Sequence, residues 1–328
     1  MSQDKDGLSA VNEARQFWPD GAAIRYQAGV VAASVPVYYE RFGPAQRDMS
    51  RPTVVMLHGG SHSGSCFQVT ADGRPGWAMT FVQHSYDVVV PDWPGCGRSG
   101  AVSPDALDAA VVVEGLSALL TALDGPLVLL AHSMGGPYAW RLAEIHRARV
   151  SAVVGVAPGP PGNIQPVPEI LSESDEETEI ATAHRRFRLP KHGFMPNDRA
   201  FVEDKLVGES RFFPREHLAT YSASLLHTPV SLVRQRVNLH GSQVRVLDPR
   251  AFAGMPILVL TGTADLEHPR WTDEAVARWF GQNGARAEFI WLGDRGIEGN
   301  GHMLMLESNS DAIAGIILTW LSHAARAR

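Results

Sequence analysis

The amino-acid sequence predicts an α/β fold with a mostly parallel central sheet flanked by helices. From residue 29 onward, short apolar β-rich runs alternate with runs of helical periodicity, the pattern of strand–helix–strand units. Two of the apolar runs, TVVMLHGG (53–60) and YDVVVPDW (86–93), end directly in loops rich in glycine or proline. With 328 residues, 45% of them apolar, the chain has enough material for one large core.

Further strands and a helix are predicted in the first half of the chain. GVVAASVPVYYERFG (29–43) is typical of two strands or a hairpin, and PLVLLAHS (126–133) of a single strand. Between them a helix is predicted over 105–123, because residues 104–105 are the proline and aspartate that suit a helix start. Its apolar residues recur at steps of four and three, and they are Ala109, Val113, Leu116, Leu120 and Leu123.

The second half of the alternation is interrupted once. A helix over 134–150 and a strand over 150–158 come first, and strands over 256–265 and 287–293 follow after the interruption. A closing helix carries an apolar face made of Ile313, Ile316, Ile317, Trp320 and Leu321.

The interruption is predicted to be an insertion over the carboxyl edge of the sheet. In residues 159–253 prolines cluster first, then an acidic run (SESDEETE) and a basic run (HRRFRLPKH) follow, and no strand–helix alternation is visible. We expect the charged runs to face solvent. The predicted organisation is therefore a core in two parts, 1–158 and 254–328, separated by a partly helical cap over 159–253.

Composition indicates which partners to expect. The formal charge is −6 and the pI is near 6.1, which favours neither nucleic acid nor an anionic membrane as a partner. The N-terminal segment MSQDKDGLSAVNEARQFWPDG has no apolar stretch of the kind that signal peptides carry. No run reaches the roughly 18 apolar residues of a membrane span. With only two cysteines, a cytoplasmic location is the default expectation.

Cysteine and histidine spacing argues against a disulfide scaffold and a metal site. Cys66 and Cys96 are too few for a scaffold and leave a single bridge between them open. No CxxC or HExxH spacing occurs, so neither a metal ion nor another cofactor is expected.

The first candidate for chemistry is Ser133, in the run AHSMGG (131–136). A serine in a tight turn between a parallel strand and a helix projects its hydroxyl above the sheet, and the residues two before and two after it must be small. Ala131 and Gly135 meet that requirement, although alanine stands where glycine is usual. The pattern predicts a nucleophile, and a serine that merely caps the helix is the alternative.

The second candidate is the loop MLHGGSHSG (56–64), at another strand end. Acyl transfer develops negative charge on a carbonyl oxygen, so it requires backbone N–H donors fixed at that point. We expect one donor to be the N–H of Met134 and the other that of Gly60 or Ser61. The alternative is that residues 58–60 only form a tight turn.

A base and an acid are found at two further strand ends. His302 lies in a glycine-bearing loop after the last predicted strand, and an imidazole can take the serine proton near neutral pH. Asp265 follows the strand before it and could hold that imidazole in one tautomer, although aspartate is also common in turns. Ser133, Asp265 and His302 thus appear in one order at one predicted edge of the sheet.

With these residues the sequence resembles the α/β-hydrolase superfamily over residues 30–158 and 250–328. The resemblance implies the α/β-hydrolase fold and a Ser-His-Asp triad with a backbone oxyanion hole. HGGSHSG followed by TADGRPGW (70–77) is similar to a subgroup of bacterial carboxylesterases with an HGG-x-H-x-G and DGR-x-GW signature. The other runs that stand where the superfamily has its motifs are PDWPGCGRSG (91–100), AHSMGG (131–136), TGTADLEHP (261–269) and GNGHMLMLE (299–307).

The resemblance to the subgroup departs at the triad acid. Some of its members have a glutamate just after the strand that follows the nucleophile helix, and this chain has Ala157 and no carboxylate there. The acid role therefore falls to Asp265, with Glu267 as the alternative. In the superfamily's turn after the 86–93 strand, the resemblance implies a mainly structural role for Asp92, with Arg98 and Ser99 bracing the loop.

The expected function is hydrolysis of a small-molecule carboxylic ester through an acyl-enzyme. The same triad also serves amidases, lactonases, carbon–carbon bond hydrolases and lyases, and these stay open. A ligand-binding protein of slow turnover is the rival from another class. Aromatic residues of the cap either line the substrate pocket or pack the cap on the core, and they include Phe187, Phe194, Phe201, Phe212, Phe213 and Tyr221.

Overall fold

A nine-stranded sheet forms the centre of the protein in the computed structural model, which describes residues 14–17, 23–182 and 186–326. The N-terminal segment on which the expectation about a signal peptide rests lies largely outside these residues. The strands of this sheet are β1 (Ala14–Phe17), β2 (Ala23–Val31), β3 (Val37–Pro44), β4 (Thr53–Leu57), β5 (Val88–Pro91), β6 (Leu127–His132), β7 (Val150–Val156), β11 (Pro256–Thr261) and β12 (Arg286–Trp291). Three further strands lie outside it, and they are β8 (Glu169–Glu173), β9 (Glu177–Ala181) and β10 (Arg186–Pro190).

Helices cover both faces of this sheet. The α-helices are α1 (Trp77–Gln83), α2 (Ala109–Ala122), α3 (Gly135–Ile145), α4 (Leu218–Ser224), α5 (Val230–Arg236), α6 (Arg270–Gln282) and α7 (Ser310–Arg326). No helix in the described part of the chain is long and apolar enough to cross a membrane.

The strand order is β1-β2-β3-β5-β4-β6-β7-β11-β12. The first three strands are antiparallel, and β2 and β3 form the predicted hairpin, while all pairs from β5 to β12 are parallel. The predicted fold class, a mostly parallel sheet flanked by helices, is confirmed. Because parallel strands end at one edge, the loops after β4, β6, β11 and β12 open on the same side.

The central strands are apolar on both faces because both faces are covered by helices. Alternate residues of β4 show this division. Val54 and Met56 pack in the cluster that holds residues of α1 and α7. Val55 and Leu57 pack in the cluster that holds residues of α2, α3 and α6. Because both faces of β4 are buried, its sequence is a continuous apolar run rather than an alternation of apolar and polar residues.

Helix α2 begins four residues later than predicted. Its N-cap is Asp108, whose side chain accepts a hydrogen bond from the Val111 N–H at 2.9 Å. An aspartate that caps in this way fixes the first turn, so the proline and aspartate at 104–105 precede the helix rather than start it.

The charged runs of the insertion form strands that the sequence analysis did not predict. Strands β8, β9 and β10 make a separate antiparallel sheet in the order β10-β9-β8. Ile180 and Leu189 are buried against Leu239, whereas most residues of β8 are exposed. The expected solvent-facing charges are therefore present on a sheet with one small apolar face. His184 and Arg185 lie outside the described residues.

The helical part of residues 159–253 comes after this small sheet. Helices α4 and α5 follow a short π-helix over Phe201–Val207. The division of the chain into 1–158, 159–253 and 254–328 stays a prediction.

Candidate active site

Ser133 lies in the turn between β6 and α3. Its φ of 51° is in the left-handed region, which a residue with a side chain adopts only where the surroundings hold it there. Its N–H donates to the Val156 carbonyl at 3.1 Å, and its carbonyl accepts from the Gly136 and Gly159 N–H groups at 2.9 and 2.8 Å. These three hydrogen bonds fix the turn.

The residues after Ser133 must be small for steric reasons. A Cβ atom on Gly135 would lie 2.7 Å from the His58 carbonyl oxygen, and one on Gly136 would lie 2.8 Å from the Gly159 nitrogen. The N-cap of α3 is Met134. The interpretation of Ser133 as a capping serine is therefore wrong, because its hydroxyl is directed elsewhere.

The Ser133 hydroxyl is hydrogen-bonded to His302, which is in turn hydrogen-bonded to Asp265. The Ser133 Oγ–His302 Nε2 distance is 3.0 Å, and the His302 Nδ1–Asp265 Oδ2 distance is 2.7 Å. The side chains of His302 and Asp265 are both buried. The structure thus brings together three residues separated by up to 169 positions in the chain.

Asp265 is held in its ionised form. Burial alone would raise the pKa of this carboxyl group, but the charge and hydrogen bond of His302 outweigh it and lower the pKa to about 2. The second oxygen accepts from the Glu267 and His268 N–H groups at 2.9 and 3.2 Å. An ionised carboxylate can only accept, so His302 Nδ1 carries the proton and Nε2 accepts from Ser133.

Glu267, the alternative acid, is not at the His302 imidazole. Its carboxylate forms an ion pair with Lys205, at 3.4 Å between Nζ and Oε2. The backbone N–H of Glu267 donates to Asp265 Oδ1 at 2.9 Å, so this residue supports Asp265 through its main chain.

The His302 loop is braced by a buried carboxylate. Glu307 accepts from the Gly301 N–H at 2.7 Å and from the side chains of Asn300 and Ser210. Burial raises the pKa of Glu307, and its three donors partly offset that effect. Because Ser210 lies in residues 159–253, this bracing also connects the predicted insertion to the His302 loop.

The predicted oxyanion donors lie on two adjacent loops. A Cβ atom on Gly60 would come 2.6 Å from the Met134 sulfur, so a side chain at position 60 would require the Met134 side chain to move. Within the described residues, neither the Gly60 N–H nor the Met134 N–H donates to another protein group. The Ser61 N–H, the other candidate, donates to Thr228 Oγ1 at 2.7 Å and is therefore occupied.

Comparison with known proteins agrees with this geometry. A sequence profile of the alpha/beta hydrolase family matches residues 54–316. The chain belongs to the alpha/beta hydrolase family.

Individual relatives of this hydrolase are distant. A probable secreted lipase, phiG, of a fungal species is 25% identical over 347 residues, which cover 87% of this chain and 85% of the relative. A 2-hydroxy-6-oxo-6-phenylhexa-2,4-dienoate hydrolase of Burkholderia cepacia is 27% identical over 193 residues, which cover 54% of this chain and 63% of the relative.

Solved structures share the fold of this hydrolase. A thermophilic esterase from Thermogutta terrifontis superimposes with a TM-score of 0.56 at 18% identity, covering 91% of this chain and 99% of the esterase. At this level of identity the likeness concerns the fold alone.

Three buried histidines lie near Ser133 and His302 in this hydrolase, and burial keeps them neutral. Burial lowers the pKa of His58 to about 4 and that of His62 to about 3, and it lowers the pKa of His132 well below its usual range. His132 Nε2 donates to the His302 carbonyl at 3.0 Å. Its Nδ1 has no hydrogen-bond partner among the described residues.

We expect the free energy of unfolding to fall as the pH is lowered from 7.5 to 5.5. Below the ordinary histidine pKa, the unfolded chain binds protons at His58, His62 and His132 that the folded protein excludes. Each such group then costs about 1.4 kcal/mol per pH unit. His268 and Glu307, whose pKa values are raised, act in the opposite direction but are fewer. Urea midpoints at matched ionic strength measure the balance; an equal or higher midpoint at pH 5.5 would contradict the expectation.

Asp92 braces the loop after β5, as the resemblance implies. Its buried carboxylate accepts from the Gly64 N–H, the Arg98 N–H and the Arg98 Nε–H, each at 2.9 Å. Ser99 Oγ donates to the Asp92 carbonyl at 2.7 Å. The loop after β4 is thereby fastened to the loop after β5.

We expect Asp92→Asn to destabilise the protein by about 3 kcal/mol, because it leaves buried donors facing an amide and removes one of the two carboxylates, Asp92 and Glu40, that pair with Arg98. Partial exposure of Arg98 keeps the effect at the low end of the range for buried pairs. Urea denaturation measures it, with Asp311→Asn as the control at an exposed aspartate, where less than about 0.5 kcal/mol is expected. Equal stability of the two variants would contradict the structural role of Asp92.

A second histidine–aspartate pair escaped the sequence analysis. His268 Nδ1 is 2.9 Å from Asp273 Oδ1, and the His268 ring stacks on the His302 ring with centroids 5.2 Å apart. Burial would lower the pKa of His268, but the Asp273 carboxylate outweighs it and raises the pKa. His268 stands three residues after Asp265 in a run without a motif for this role, so only its proximity to Asp265 could have drawn attention to it.

The cysteines are free thiols. Burial raises the pKa of Cys66 beyond the range in which a thiolate forms, and raises that of Cys96 to about 12. Among residues 23–182 and 186–326, no three histidine, cysteine or acidic side chains group together as metal ligands would.

Proposed function

We propose that this protein is a serine hydrolase that cleaves small-molecule carboxylic esters through an acyl-enzyme. The observation that carries the proposal is the hydrogen-bonded chain from Ser133 through His302 to Asp265. A serine hydroxyl is a weak nucleophile unless an adjacent base accepts its proton, and His302 Nε2 is oriented to do so.

The proposed reaction has two halves. Ser133 Oγ attacks the ester carbonyl carbon while His302 takes the hydroxyl proton, and Asp265 stabilises the imidazolium that forms. The Gly60 and Met134 N–H groups bind the oxyanion. His302 then protonates the departing alcohol, which leaves Ser133 acylated. A water molecule, deprotonated by His302, attacks the acyl-enzyme and releases the acid and the free serine.

The proposed cap, residues 159–253, borders a small cavity beside the Gly60 loop. The cavity has a volume of about 10 Å³, room for about one water molecule, and its walls include Ser61, His62, Trp93, Leu226 and Thr228. Its apolar and aromatic walls suit an uncharged acyl or alcohol group only if the cavity widens on binding.

Most of the cap's aromatic residues pack within the protein. Phe213 and Tyr221 are buried against each other, with ring centroids 5.0 Å apart, and Phe187 packs against Ile180 and its neighbours. Phe194 is about half exposed, at 48%. Packing of the cap is therefore the main role that we propose for them.

The relatives support the ester class. A lipase and an esterase are among them. The similarity to bacterial carboxylesterases with the HGG-x-H-x-G and DGR-x-GW signature stays a prediction, as does the absence of nucleic-acid and membrane partners. The cytoplasmic location also stays a prediction, since one relative is described as secreted.

The experiment that tests the proposal is a panel of p-nitrophenyl esters of graded acyl length, together with p-nitroanilides of the same acyl groups and lactones of graded ring size. We expect turnover of the shorter members and a burst of p-nitrophenol equal to the enzyme concentration where deacylation limits the rate. If no ester, amide or lactone of the panel were turned over while one bound tightly, the ligand-binding alternative would replace the proposal. Turnover of amides or lactones above the esters would change the substrate class and keep the triad.

A second candidate function is hydrolysis of a carbon–carbon bond. The Burkholderia cepacia relative is named for 2-hydroxy-6-oxo-6-phenylhexa-2,4-dienoate, a compound without an ester group. Including this dienoate in the panel separates the two candidates. A kcat/KM for the dienoate above that of every ester would favour the second.

A further inference from the structure

The insertion is hydrogen-bonded to the loop that carries Gly60. Ser61, the next residue, has a φ of 63°, a left-handed conformation that costs a residue with a side chain free energy. Its N–H donates to Thr228 Oγ1 at 2.7 Å, and its carbonyl accepts from the Leu226 N–H at 2.9 Å. Its hydroxyl donates to Asn197 Oδ1 at 3.0 Å. Every polar group of Ser61 is thus satisfied by residues of the insertion.

The preceding carbonyl group is held as well. His62 Nδ1 lies 2.7 Å from the Gly60 carbonyl oxygen, and His62 Nε2 lies 2.9 Å from the Tyr221 hydroxyl. A carbonyl oxygen can only accept, so Nδ1 carries the proton of the neutral ring and Nε2 accepts from Tyr221. Both His62 and Tyr221 are buried.

The peptide unit that joins Gly60 to Ser61 is therefore hydrogen-bonded at both ends. His62, supported by Tyr221, holds its C=O, and Thr228 holds its N–H. Tyr221 lies in α4 with its ring against Phe213, and the Thr228 carbonyl accepts from the Met195 N–H at 2.9 Å, so both are fixed inside the insertion.

Gly60 itself does not fix the direction of its N–H. Glycine has the widest choice of backbone angles. The Gly60 N–H belongs to the Gly59–Gly60 peptide unit, whose carbonyl oxygen lies 2.8 Å from His58 Nδ1. Its orientation therefore depends on that contact and on the Gly60–Ser61 peptide unit that follows. An oxyanion donor is effective only when it is aimed in advance at the developing charge.

We infer that Thr228 and Tyr221 are positioning residues, through which the insertion holds the Gly60 N–H in the orientation that binds the oxyanion. The inference rests on the proposed function. It assigns to the insertion a part in the chemical step besides shaping the pocket. Both act through the backbone of the loop after β4: the Thr228 hydroxyl is hydrogen-bonded to it directly, and the Tyr221 hydroxyl through His62.

The test is a pair of nearly isosteric variants, assayed with the best ester of the panel. Thr228→Val and Tyr221→Phe each remove one hydroxyl. We expect each to lower kcat by about 10- to 100-fold with KM changed by less than about threefold, a part of what removal of an oxyanion donor costs. Thr228→Ser, which keeps the hydroxyl, is expected to restore most of the kcat that Thr228→Val loses.

The matched control is Ser231→Ala. Ser231 also belongs to the insertion, and its hydroxyl also bonds the core, at the Pro104 carbonyl (2.8 Å) and the Leu107 carbonyl. It has no hydrogen bond to the Gly60 loop. If the hydroxyls only fasten the insertion to the core, Ser231→Ala would lower kcat as much as Thr228→Val does, and the inference would be overturned.

A second readout reports on the oxyanion itself. A trifluoromethyl ketone that matches the best ester's acyl group adds to a catalytic serine and places its oxyanion in the hole. We expect its Ki to rise in Thr228→Val by a factor similar to the fall in kcat. Wild-type kcat and Ki in both variants would overturn the inference while leaving the proposed function intact.

The remaining outcomes also separate the two proposals. If the wild-type protein hydrolyses no ester, the proposed function fails and this inference falls with it. If Thr228→Val does not fold, the kcat and Ki of Tyr221→Phe test the inference alone, because that substitution removes one oxygen without changing the ring.

Discussion

Ser133→Ala should lower kcat for the best ester by about 10⁴- to 10⁶-fold, the largest effect expected of any single substitution in this protein. The variant lacks the hydroxyl oxygen that is acylated in the proposed mechanism, and His302 Nε2 then has no hydroxyl to activate. Binding groups and the oxyanion donors remain, so KM should change far less than kcat. Because alanine also suits a tight turn poorly at φ 51°, melting temperature must be measured with the kinetics.

The matched control for this variant is Ser322→Ala. Ser322 lies in α7, and its hydroxyl bonds only the Thr319 carbonyl one turn earlier, at 2.7 Å. We expect wild-type kinetics from it. Wild-type turnover by Ser133→Ala, measured with protein free of wild-type contamination, would rule out the proposed mechanism.

Asp265→Asn should lower kcat by about 10⁴-fold, the effect that loss of the acid has in a serine triad. An asparagine amide facing His302 can donate to Nδ1, which moves the imidazole proton to Nε2 and leaves no acceptor for the Ser133 hydroxyl. The variant also loses the carboxylate that stabilises the imidazolium. In the unchanged protein the pKa of the Asp265 carboxyl group is about 2, so Asp265 is ionised at any pH at which the assay is practical.

Glu267→Gln separates the two candidate acids. Its carboxylate pairs with Lys205 and not with His302, so kcat should stay within about threefold of wild type. Stopped-flow and steady-state kinetics on both variants measure the contrast. A large loss in Glu267→Gln together with a small loss in Asp265→Asn would reverse the assignment of the acid.

The fold was predictable because the core alternates so regularly. The apolar runs of β4, β6 and β11 are buried on both faces, and helices with one apolar side separate them, so the order of elements could be predicted from periodicity. Helix α2 was misplaced at its start because a proline–aspartate pair and Asp108 compete as start signals, and the sequence does not show which side chain caps the first turn.

The strands of the insertion could not be predicted from periodicity. Strands β8 to β10 carry charges on most exposed positions, and the apolar cluster that they help to form is completed by Val233, Val237 and Leu239, about 50 residues further along the chain. Such a short, one-sided sheet leaves little periodic signal in the sequence.

Candidate site residues were predictable where a motif fixes the backbone. Ser133, Gly60 and Met134 belong to turns whose shape depends on glycines nearby, and His302 and Asp265 stand at strand ends. Thr228, Tyr221 and His268 lacked such signals, because their positions depend on how the insertion and the loop after β11 fold back onto the edge of the sheet.

The most direct test of the central claim is the site of covalent modification by a fluorophosphonate, a reagent that phosphonylates activated serines. Intact mass spectrometry and peptide mapping should show one label per chain, on the peptide that contains Ser133, with labelling and loss of ester turnover proceeding at the same rate. Ser133→Ala should remain unlabelled under the same conditions. Inactivation by a label on another residue, or full ester turnover by a protein labelled completely at Ser133, would contradict the account.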